Sequence, residues 1–318
     1  MSTPFLEQDK GILSQFKRFK PFENLHGSDR FATYEQIAEM SLLNHEGAYV
    51  GGYYKDEKVH YLQHNGPEHI LAFAPTRSGK GVGLVIPTLL SWMHSLVCLD
   101  IKGENWALTA GWRQKHGNSR CLRFDPAALA GSVKFNPLAE IRHQTDYEVS
   151  DAQNIANMIV DPDGKGLNDH WAKTGFALLV GTILHCLYVE KEKGRMATIL
   201  DVANCLADPA APILETLTTM LSYPHLGEDG PHPVVASCAR EMLNKAENEL
   251  SGVVSTTMSF LSLYRDPIVA RNTAVSEFKI SDLMNNDKPV SLYIVVRPRD
   301  SKRLKPLIRL LINQIIST

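Results

Sequence analysis

The order of segments in the first third of the chain constrains the fold more than any other feature of this sequence. Residues 69–74 (H-I-L-A-F-A) form a short continuous apolar run, typical of a strand buried on both faces of a sheet. A glycine-containing loop follows, then a helical pattern over residues 82–92 and a second apolar run over residues 95–100. Strand, loop, helix and strand in this order predict a βαβ unit, and therefore an α/β fold with a parallel sheet.

The segments on either side of this unit predict a composite chain. Before it, Thr33 and Gln36 form a capping-box pattern that predicts a helix, and two apolar runs joined through residues 55–58 predict a β-hairpin. After it, strand signals stop from about residue 140 to residue 250. Five helical patterns fill that interval, at residues 149–160, 169–188, 198–207, 212–221 and 234–250. They predict an all-α domain inserted into the α/β one.

The α/β character returns near the end of the chain. Residues 290–296 predict a fully apolar strand that stops before Pro298, and residues 304–316 predict a helix that is apolar nearly all round. The predicted division is therefore an N-terminal segment (1–30), a first α/β part (31–140), the all-α domain (141–250) and a continued, incomplete α/β part (251–318).

Composition excludes several classes of protein. The 33 basic and 35 acidic residues give a net charge of −2, so any contact with nucleic acid needs a local basic patch. The five cysteines are scattered without a C-x-x-C pair, which favours a reducing compartment over a disulfide framework or a zinc site. The most apolar run, residues 176–189, is shorter than a membrane span and contains His185, so we expect a buried helix in a soluble, cytoplasmic chain.

The segment A-P-T-R-S-G-K-G, which ends at Gly81, carries the strongest chemical signal. Small residues allow consecutive backbone N–H groups to surround phosphates, the following helix adds its positive dipole end, and a lysine reaches the outer phosphates. The predicted nucleotide-contacting residues are Thr76, Arg77, Ser78, Gly79, Lys80, Gly81 and Val82. Gly81 stands where the general motif has a Ser or Thr whose hydroxyl holds Mg²⁺, and Ala74 replaces the first glycine. The alternative is a glycine-rich turn without a ligand.

Charged residues that follow the predicted strands are weaker candidates for the site. Asp100 closes the second strand, and Lys102 and Glu104 follow it, which predicts a role in organising the phosphate site. The alternative is a turn of mutually paired charges. Arg297 and Arg299 follow the last strand, where a phosphate contact and a plain exposed strand end are both open.

Several blocks of this sequence resemble the TraG family of type IV secretion coupling proteins. They are the segment around the P-loop (H-N-G-P-E-H-I-L-A-F-A-P-T-R-S-G-K-G), L-D-I-K-G-E-N-W-A-L-T-A-G-W-R, F-N-P-L-A-E-I-R, L-Y-R-D-P-I-V-A-R-N and P-V-S-L-Y-I-V-V. The similarity runs from Leu25 to the last residue. The family shares the glycine at position 81.

The resemblance implies a RecA-like P-loop NTPase domain with an inserted all-α domain. It further implies ATP and Mg²⁺ as cofactors, phosphate-binding roles for Thr76, Ser78, Gly79 and Lys80, and a homo-hexamer at the cytoplasmic face of the bacterial inner membrane. There the family couples a relaxase bound to single-stranded DNA to the secretion channel and drives DNA transfer with ATP. In the family, the segment 1–30 would be juxtamembrane.

Two parts of the family pattern are missing from this sequence. Family members usually have transmembrane helices ahead of the L-H-G-S segment, where this sequence has 24 residues. They also have a later apolar strand ending in Asp-Glu, which supplies the metal-directing and catalytic carboxylates. We therefore assign no catalytic residue and expect poor ATP hydrolysis. The alternatives are a non-catalytic docking receptor, in which nucleotide is a structural ligand, and a small-molecule kinase, which would need an acceptor pocket.

Overall fold

The computed structural model describes residues 30–317, so the predicted segment 1–30 lies outside the described residues except for Arg30. The chain divides into two compact units, Met1–Phe73 and Ala74–Thr318. In the following description, helices and strands are numbered in chain order.

The first unit contains a short helix and a two-stranded sheet. Helix α1 (Tyr34–Glu39) begins at the capping box of Thr33 and Gln36, in which each side chain bonds the other residue's backbone N–H. Strands β1 (Ala48–Lys55) and β2 (Lys58–His64) pair antiparallel through a turn with positive φ at Asp56 and Glu57. The predicted helix and hairpin are thus confirmed.

The strand predicted at residues 69–74 is wrong. These residues have no regular secondary structure, and their apolar side chains face solvent, with Phe73 89% exposed. An apolar run becomes a buried strand only where neighbouring strands accept and donate its backbone hydrogen bonds. The described strands of the chain provide no such partner for this run.

The second unit contains a three-stranded parallel sheet, which confirms the α/β prediction. Its order is β3 (Leu96–Asp100), β5 (Val290–Val295) and β4 (Arg120–Phe124). Strand β5 lies in the centre, with strands paired on both of its edges. It is buried at every position because apolar residues also cover both of its faces. The sequence predicted β3 and β5 but not β4, whose apolar pattern is interrupted by Arg120 and Arg123.

One helical segment precedes the first strand of this sheet, and another helix connects β3 to β4. The chain enters through a π-helical segment (Gly81–Val85) that continues into helix α2 (Ile86–Ser91), with Pro87 in its first turn. Helix α3 (Glu104–His116) connects β3 to β4. One face of the sheet packs against both helices in a small cluster of Leu89, Ala110, Tyr293 and Val295.

Seven helices follow β4 between residues 148 and 272, and they confirm that the predicted region is helical. They are α4 (Glu148–Val160), α5 (His170–Glu192), α6 (Ile199–Leu206), α7 (Ile213–Ser222), α8 (Pro233–Leu243), α9 (Glu247–Leu261) and α10 (Pro267–Asn272). The pattern predicted as one helix over 234–250 is two helices, because the chain turns between Leu243 and Glu247. The short helix α11 (Asp282–Asn285) precedes β5, and α12 (Ser301–Ser317) follows it.

Helix α5 is the central element of the helical region. It is long and apolar enough to span a membrane by length and composition, but 72% of its most apolar window is buried inside the protein. Its side chains Leu178, Leu179, Ile183 and Leu184 are completely buried in the main hydrophobic core. This pattern is that of a core helix.

Candidate nucleotide-binding site

The predicted P-loop forms an exposed turn at the beginning of the second unit. Arg77 and Gly79 both have positive φ, at 65° and 89°, so two of three consecutive loop residues adopt the left-handed conformation. The Ser78 N–H donates to the carbonyl of Pro75 over 3.3 Å, and the Gly83 N–H donates to the carbonyl of Gly79 over 2.7 Å. The second bond starts the helical turns that follow.

Gly79 is required by its backbone conformation. An added Cβ would meet only the side chain of Val82, at 3.9 Å, so there is space for a side chain. A φ of 89° lies instead in the region that favours glycine over every residue with a Cβ.

Lys80 folds back over its own loop. Its ammonium group donates to the carbonyls of Ala74, at 2.6 Å, and Pro75, at 2.8 Å. Both acceptors are exposed backbone groups that water can also satisfy, so these bonds cost little to exchange. The ammonium is therefore available to a phosphate that approaches the loop.

The remaining predicted contacts lie on the open side of the loop. Thr76 and Ser78 are exposed, and Val82 is 71% exposed at the start of the helical segment. An added Cβ at Gly81 would meet no atom within 4 Å. A hydroxyl-bearing residue would therefore fit at position 81, although this sequence does not supply one.

Arg113 holds the helix that follows the loop, and the sequence analysis missed it. The side chain is 2% exposed. Its guanidinium donates to the carbonyl of Leu89 at 2.7 Å, to that of Trp92, to that of His94 at 2.8 Å, and to the Ser291 hydroxyl at 2.7 Å. The carboxyl end of α2 is thereby fixed to the central strand of the sheet.

The surroundings of Arg113 stabilise a positive charge although no carboxylate pairs with it. The last carbonyls of a helix carry partial negative charge, which favours a positive group. Burial lowers the pKa of the Arg113 guanidinium from its ordinary value, although an arginine remains charged in water. A signal for this residue was present in the sequence, because Trp106, Ala110 and Arg113 recur at the spacing of one helical face.

Asp100 lies at the carboxyl end of β3, where the sequence placed it, and is buried. Its two carboxylate oxygens accept the backbone N–H groups of Gly103, at 2.9 Å, and Trp106, at 2.8 Å. These bonds satisfy two donors at the beginning of α3, which lacks a side-chain cap of its own. In the described structure the carboxylate therefore stabilises the start of α3.

Lys102 and Glu104 are exposed and form an ion pair, in which Lys102 Nζ lies 3.8 Å from Glu104 Oε1. An exposed pair of this kind contributes at most about 1 kcal/mol. Beyond the last strand, Arg299 pairs with the adjacent Asp300 at 3.2 Å, and Arg297 is exposed. The predicted phosphate contacts of these residues stay predictions.

A comparison with known protein families decides the family of this chain. The family described as type IV secretory system conjugative DNA transfer matches residues 25–318. The chain belongs to this family. The match includes the P-loop and all three strands of the parallel sheet.

Curated proteins of two bacteria are similar to this chain over most of its length. The conjugal transfer protein TraG of Escherichia coli is 52% identical over 315 residues, which cover 93% of this chain and 49% of that protein. The protein VirD4 of Agrobacterium fabrum is 31% identical over 263 residues, which cover 81% of this chain and 36% of that protein. The chain thus spans about half the length, or less, of these curated relatives.

A solved structure of this type shares the fold. The plasmid coupling protein TrwB, determined in complex with the non-hydrolysable GTP analogue GDPNP, matches with a TM-score of 0.50 and 18% identity. The match covers 76% of this chain and 50% of that one. The RecA-like α/β fold with a helical domain, implied by the resemblance, is therefore confirmed.

Proposed function

We propose that this chain is the nucleotide-binding part of a conjugative coupling protein. The observation that carries the proposal is the loop around Lys80, which places an ammonium bonded only to loop carbonyls, a left-handed glycine and a helix start on one exposed turn. Family membership and the nucleotide complex of TrwB support it. In the whole protein, this part would use ATP to drive single-stranded DNA, bound to a relaxase, into the secretion channel.

Binding follows from exchange of hydrogen bonds at the loop. The Lys80 ammonium leaves the carbonyls of Ala74 and Pro75 and donates to the β- and γ-phosphates of the nucleotide. Backbone N–H groups from Gly79 to Gly81 then line the phosphates, and the positive end of the helical segment faces them. Arg113 keeps the other end of that segment on the sheet, so the loop has a fixed base.

The described residues suit a nucleotide better than an isolated metal ion. Among residues 30–317, no group of three or more His, Cys, Asp or Glu side chains is placed to hold a metal. Gly81 has no hydroxyl, and both oxygens of Asp100 are bonded to backbone N–H groups. A bound Mg²⁺ would neutralise phosphate charge. Its main ligands would be the phosphates of the nucleotide, and Thr76 and Ser78 would be the nearest hydroxyl-bearing residues on the loop.

The same observations favour slow turnover by this chain. Hydrolysis requires a group that orients or deprotonates the attacking water. The loop from Ala74 to Val82 carries no carboxylate, and Asp100 is committed to the cap of α3. We expect tight binding with little ATP hydrolysis, which also leaves open the second candidate, a docking receptor in which nucleotide is a structural ligand.

Assembly and location belong to the same proposal. Full-length relatives would form a homo-hexamer at the cytoplasmic face of the inner membrane, with the segment 1–30 next to the membrane. The P-loop would lie in the nucleotide-binding part (31–140 and 251–318), and the helices at 141–250 would form the inserted domain. Contacts with the relaxase and with channel proteins would require the whole protein.

The first test is a titration with a fluorescent ATP analogue, with and without Mg²⁺. We compare the unmodified chain with Lys80→Ala and with Lys115→Ala, an exposed lysine on α3 that serves as the control. Saturable binding that is lost only in Lys80→Ala supports the proposal. Equal binding in all three proteins, or binding in none, contradicts it.

A second measurement separates the motor from the receptor. ATP turnover is followed in a chain extended to the length of the curated relatives, with and without single-stranded DNA. Turnover that DNA stimulates and Lys80→Ala abolishes supports the motor. Tight nucleotide binding without any turnover supports the docking receptor.

A further inference from the structure

A polar groove lies between helices α4 and α12 of the second unit. It has a volume of about 600 Å³, which is within the range of sites that hold small molecules or short peptides. Its lining combines apolar side chains, among them Ile155 and Met158, with carboxamide and carboxylate groups. These polar groups belong neither to the candidate nucleotide-binding site nor to the hydrophobic core.

Three asparagines line the groove from its two helices. Asn154 and Asn157 lie about one turn apart on α4, and Asn313 lies on α12. Within residues 30–317, their side chains make no hydrogen bond. Each carboxamide therefore has an acceptor oxygen and a donor nitrogen available to a ligand.

This set of groups matches the backbone of an extended peptide. In an extended chain, the N–H and C=O groups of one residue point to one edge, and those of the next residue point to the other edge. Each such pair requires one acceptor and one donor, and a carboxamide supplies both. Because the asparagines come from both helices, an extended segment in the groove can be bonded along both of its edges.

The charge of the groove selects the kind of segment. The Arg142 guanidinium donates to the two carboxylate oxygens of Asp151 over 2.9 Å and 2.7 Å, so these two charges cancel. Glu140 is the remaining charged residue of the lining. One of its oxygens accepts the backbone N–H of Ile280 over 3.3 Å, and no cation of the described residues lies within 4 Å of the carboxylate.

A cationic ligand would compensate the partial burial of Glu140. Burial raises the pKa of this carboxyl from its ordinary value, because the charged form loses part of its hydration. Two charged residues outside the lining act in opposite directions, since Lys279 lowers this pKa and Asp282 raises it. A lysine or arginine from a ligand would favour the charged form of Glu140.

Nucleic acid fits this groove poorly. Binding of a phosphate backbone depends on lysines or arginines that neutralise the phosphates. The one arginine of the lining is already paired with Asp151, and the uncompensated charge, on Glu140, is negative. A peptide with a basic side chain has the complementary charge.

We propose that the groove between α4 and α12 binds an extended segment of a partner protein that carries a lysine or arginine. The carboxamides of the three asparagines bond the backbone of the segment, and Glu140 pairs with its basic side chain. Hydrogen bonds to the backbone supply affinity, and the charge pair supplies selectivity.

The test uses fluorescent heptapeptide pools in which only the central residue is fixed, as Lys, Gln or Glu, and the flanking positions are mixtures of Ser, Thr and Val. Binding to the native chain is measured by fluorescence anisotropy in the absence of nucleotide. The Lys pool should bind about tenfold more tightly than the Gln pool, and the Glu pool should bind most weakly. Equal affinities for the three pools, or no saturable binding of any pool, would overturn the proposal.

Two variants separate the charge pair from the backbone contacts. Glu140→Gln should abolish the preference for the Lys pool, and it keeps an acceptor oxygen for the Ile280 N–H, so the fold should be retained. Asn157→Ala should weaken the Lys and Gln pools by the same factor. The matched controls are Glu228→Gln and Gln153→Ala, at exposed positions outside the lining, and they should leave all affinities unchanged. A preference for the Lys pool that survives in Glu140→Gln contradicts the assignment.

A labelled single-stranded oligothymidylate tests the competing ligand class. It should bind the native chain and Asn157→Ala with the same affinity, because the groove does not accept a polyanion. Oligonucleotide binding that is lost in Asn157→Ala would assign the groove to nucleic acid and overturn the proposal.

Discussion

The Arg113 side chain donates from Nε to the hydroxyl of Ser291 over 2.7 Å, across 178 positions of the chain. Ser291 lies on the central strand β5 and is completely buried, and its hydroxyl also contacts that of Ser119 at 2.7 Å. With its other nitrogens on the carbonyls at the end of α2, Arg113 connects the helix after the P-loop to the middle of the sheet. The helix after the P-loop is thus fixed to the sheet by the buried Arg113 guanidinium, whose hydrogen-bond acceptors are uncharged carbonyl and hydroxyl oxygens.

Arg113→Lys should destabilise the chain although it keeps the charge. A lysine cannot reach the same four acceptors with a planar fork, so buried carbonyls lose their donors. We expect a loss of about 2–4 kcal/mol in the free energy of unfolding, measured by urea denaturation.

Arg120→Lys is the matched control for this prediction. Arg120 begins β4, is exposed, and pairs with Asp282 at 3.4 Å. An exposed pair contributes at most about 1 kcal/mol, so the variant should change the unfolding free energy only slightly. Equal effects of the two substitutions would show that Arg113 has no special role.

Elements whose apolar pattern matched their burial could be predicted from the sequence. The capping box at Thr33 and the helical pattern from residue 198 marked helix starts, and the apolar strand at 290–295 is the buried centre of the sheet. Strand β4 was missed because its pattern is broken by Arg123, whose guanidinium pairs with the buried Asp125 at 2.8 Å. An apolar pattern does not show that an ion pair neutralises a charge, even where the partner lies only two positions away.

The loop of the candidate site could be predicted from the sequence, but the contacts that hold the following helix in place could not. Glycine and lysine in the order of a P-loop located the turn at Lys80. The buried role of Arg113 depends on contacts with Leu89 and Ser291, which are 24 and 178 positions away. The predicted strand at 69–74 failed for a related reason, since its formation depends on partners and not on its own composition.

Gly79→Ala should weaken nucleotide binding, whereas Gly81→Ala should not. Alanine at the positive φ of 89° costs on the order of 1–2 kcal/mol and would distort the turn that presents the N–H groups. At Gly81, where a Cβ meets no atom within 4 Å, alanine replaces a helical glycine without a clash. Titration with the fluorescent ATP analogue should show about a tenfold loss for Gly79→Ala only. Similar affinities for both variants would argue against this conformation in the bound loop.

Gly81→Ser should make nucleotide binding more dependent on Mg²⁺. The variant adds a hydroxyl at the position where the general P-loop motif holds the metal, and the space around Gly81 allows it. The ratio of affinities with and without Mg²⁺ should rise relative to Gly81→Ala, which lacks the hydroxyl. An unchanged ratio would mean that the metal does not approach position 81.

The stability of the chain should fall between pH 6.5 and about pH 4 because of two buried histidines. His185 Nδ1 and His225 Nε2 lie 2.9 Å apart, and burial lowers the pKa of each from 6.5 to about 4. Below pH 6.5 the unfolded state binds protons that the folded state does not, so folding becomes less favourable as the pH decreases. Below about pH 4, the part of the folding stability that depends on these two histidines being neutral is fully lost.

The magnitude can be measured by urea denaturation at a series of pH values. A shift from 6.5 to about 4 corresponds to about 3 kcal/mol for one histidine, and the contact between the rings makes the pair less than additive. His185→Gln should flatten the slope in this window. His45→Gln, at an exposed histidine of the first unit, should leave the slope unchanged. A slope that survives in His185→Gln would assign the effect to other groups.

Trp171 and Gly252 should be energetically coupled, because the indole ring covers the glycine where α5 begins against α9. A Cβ at Gly252 would lie 2.6 Å from Cζ3 and 2.8 Å from Cη2 of the ring. Gly252→Ala should therefore cost about 1–3 kcal/mol of unfolding free energy, as the ring is displaced. In a Trp171→Ala background the same change should be neutral or should stabilise the helix by up to about 1 kcal/mol.

Gly111→Ala on α3, where a Cβ meets no atom within 4 Å, is the control and should raise the unfolding free energy. A double-mutant cycle by urea denaturation measures the coupling, and additive effects would show that the ring does not restrict position 252.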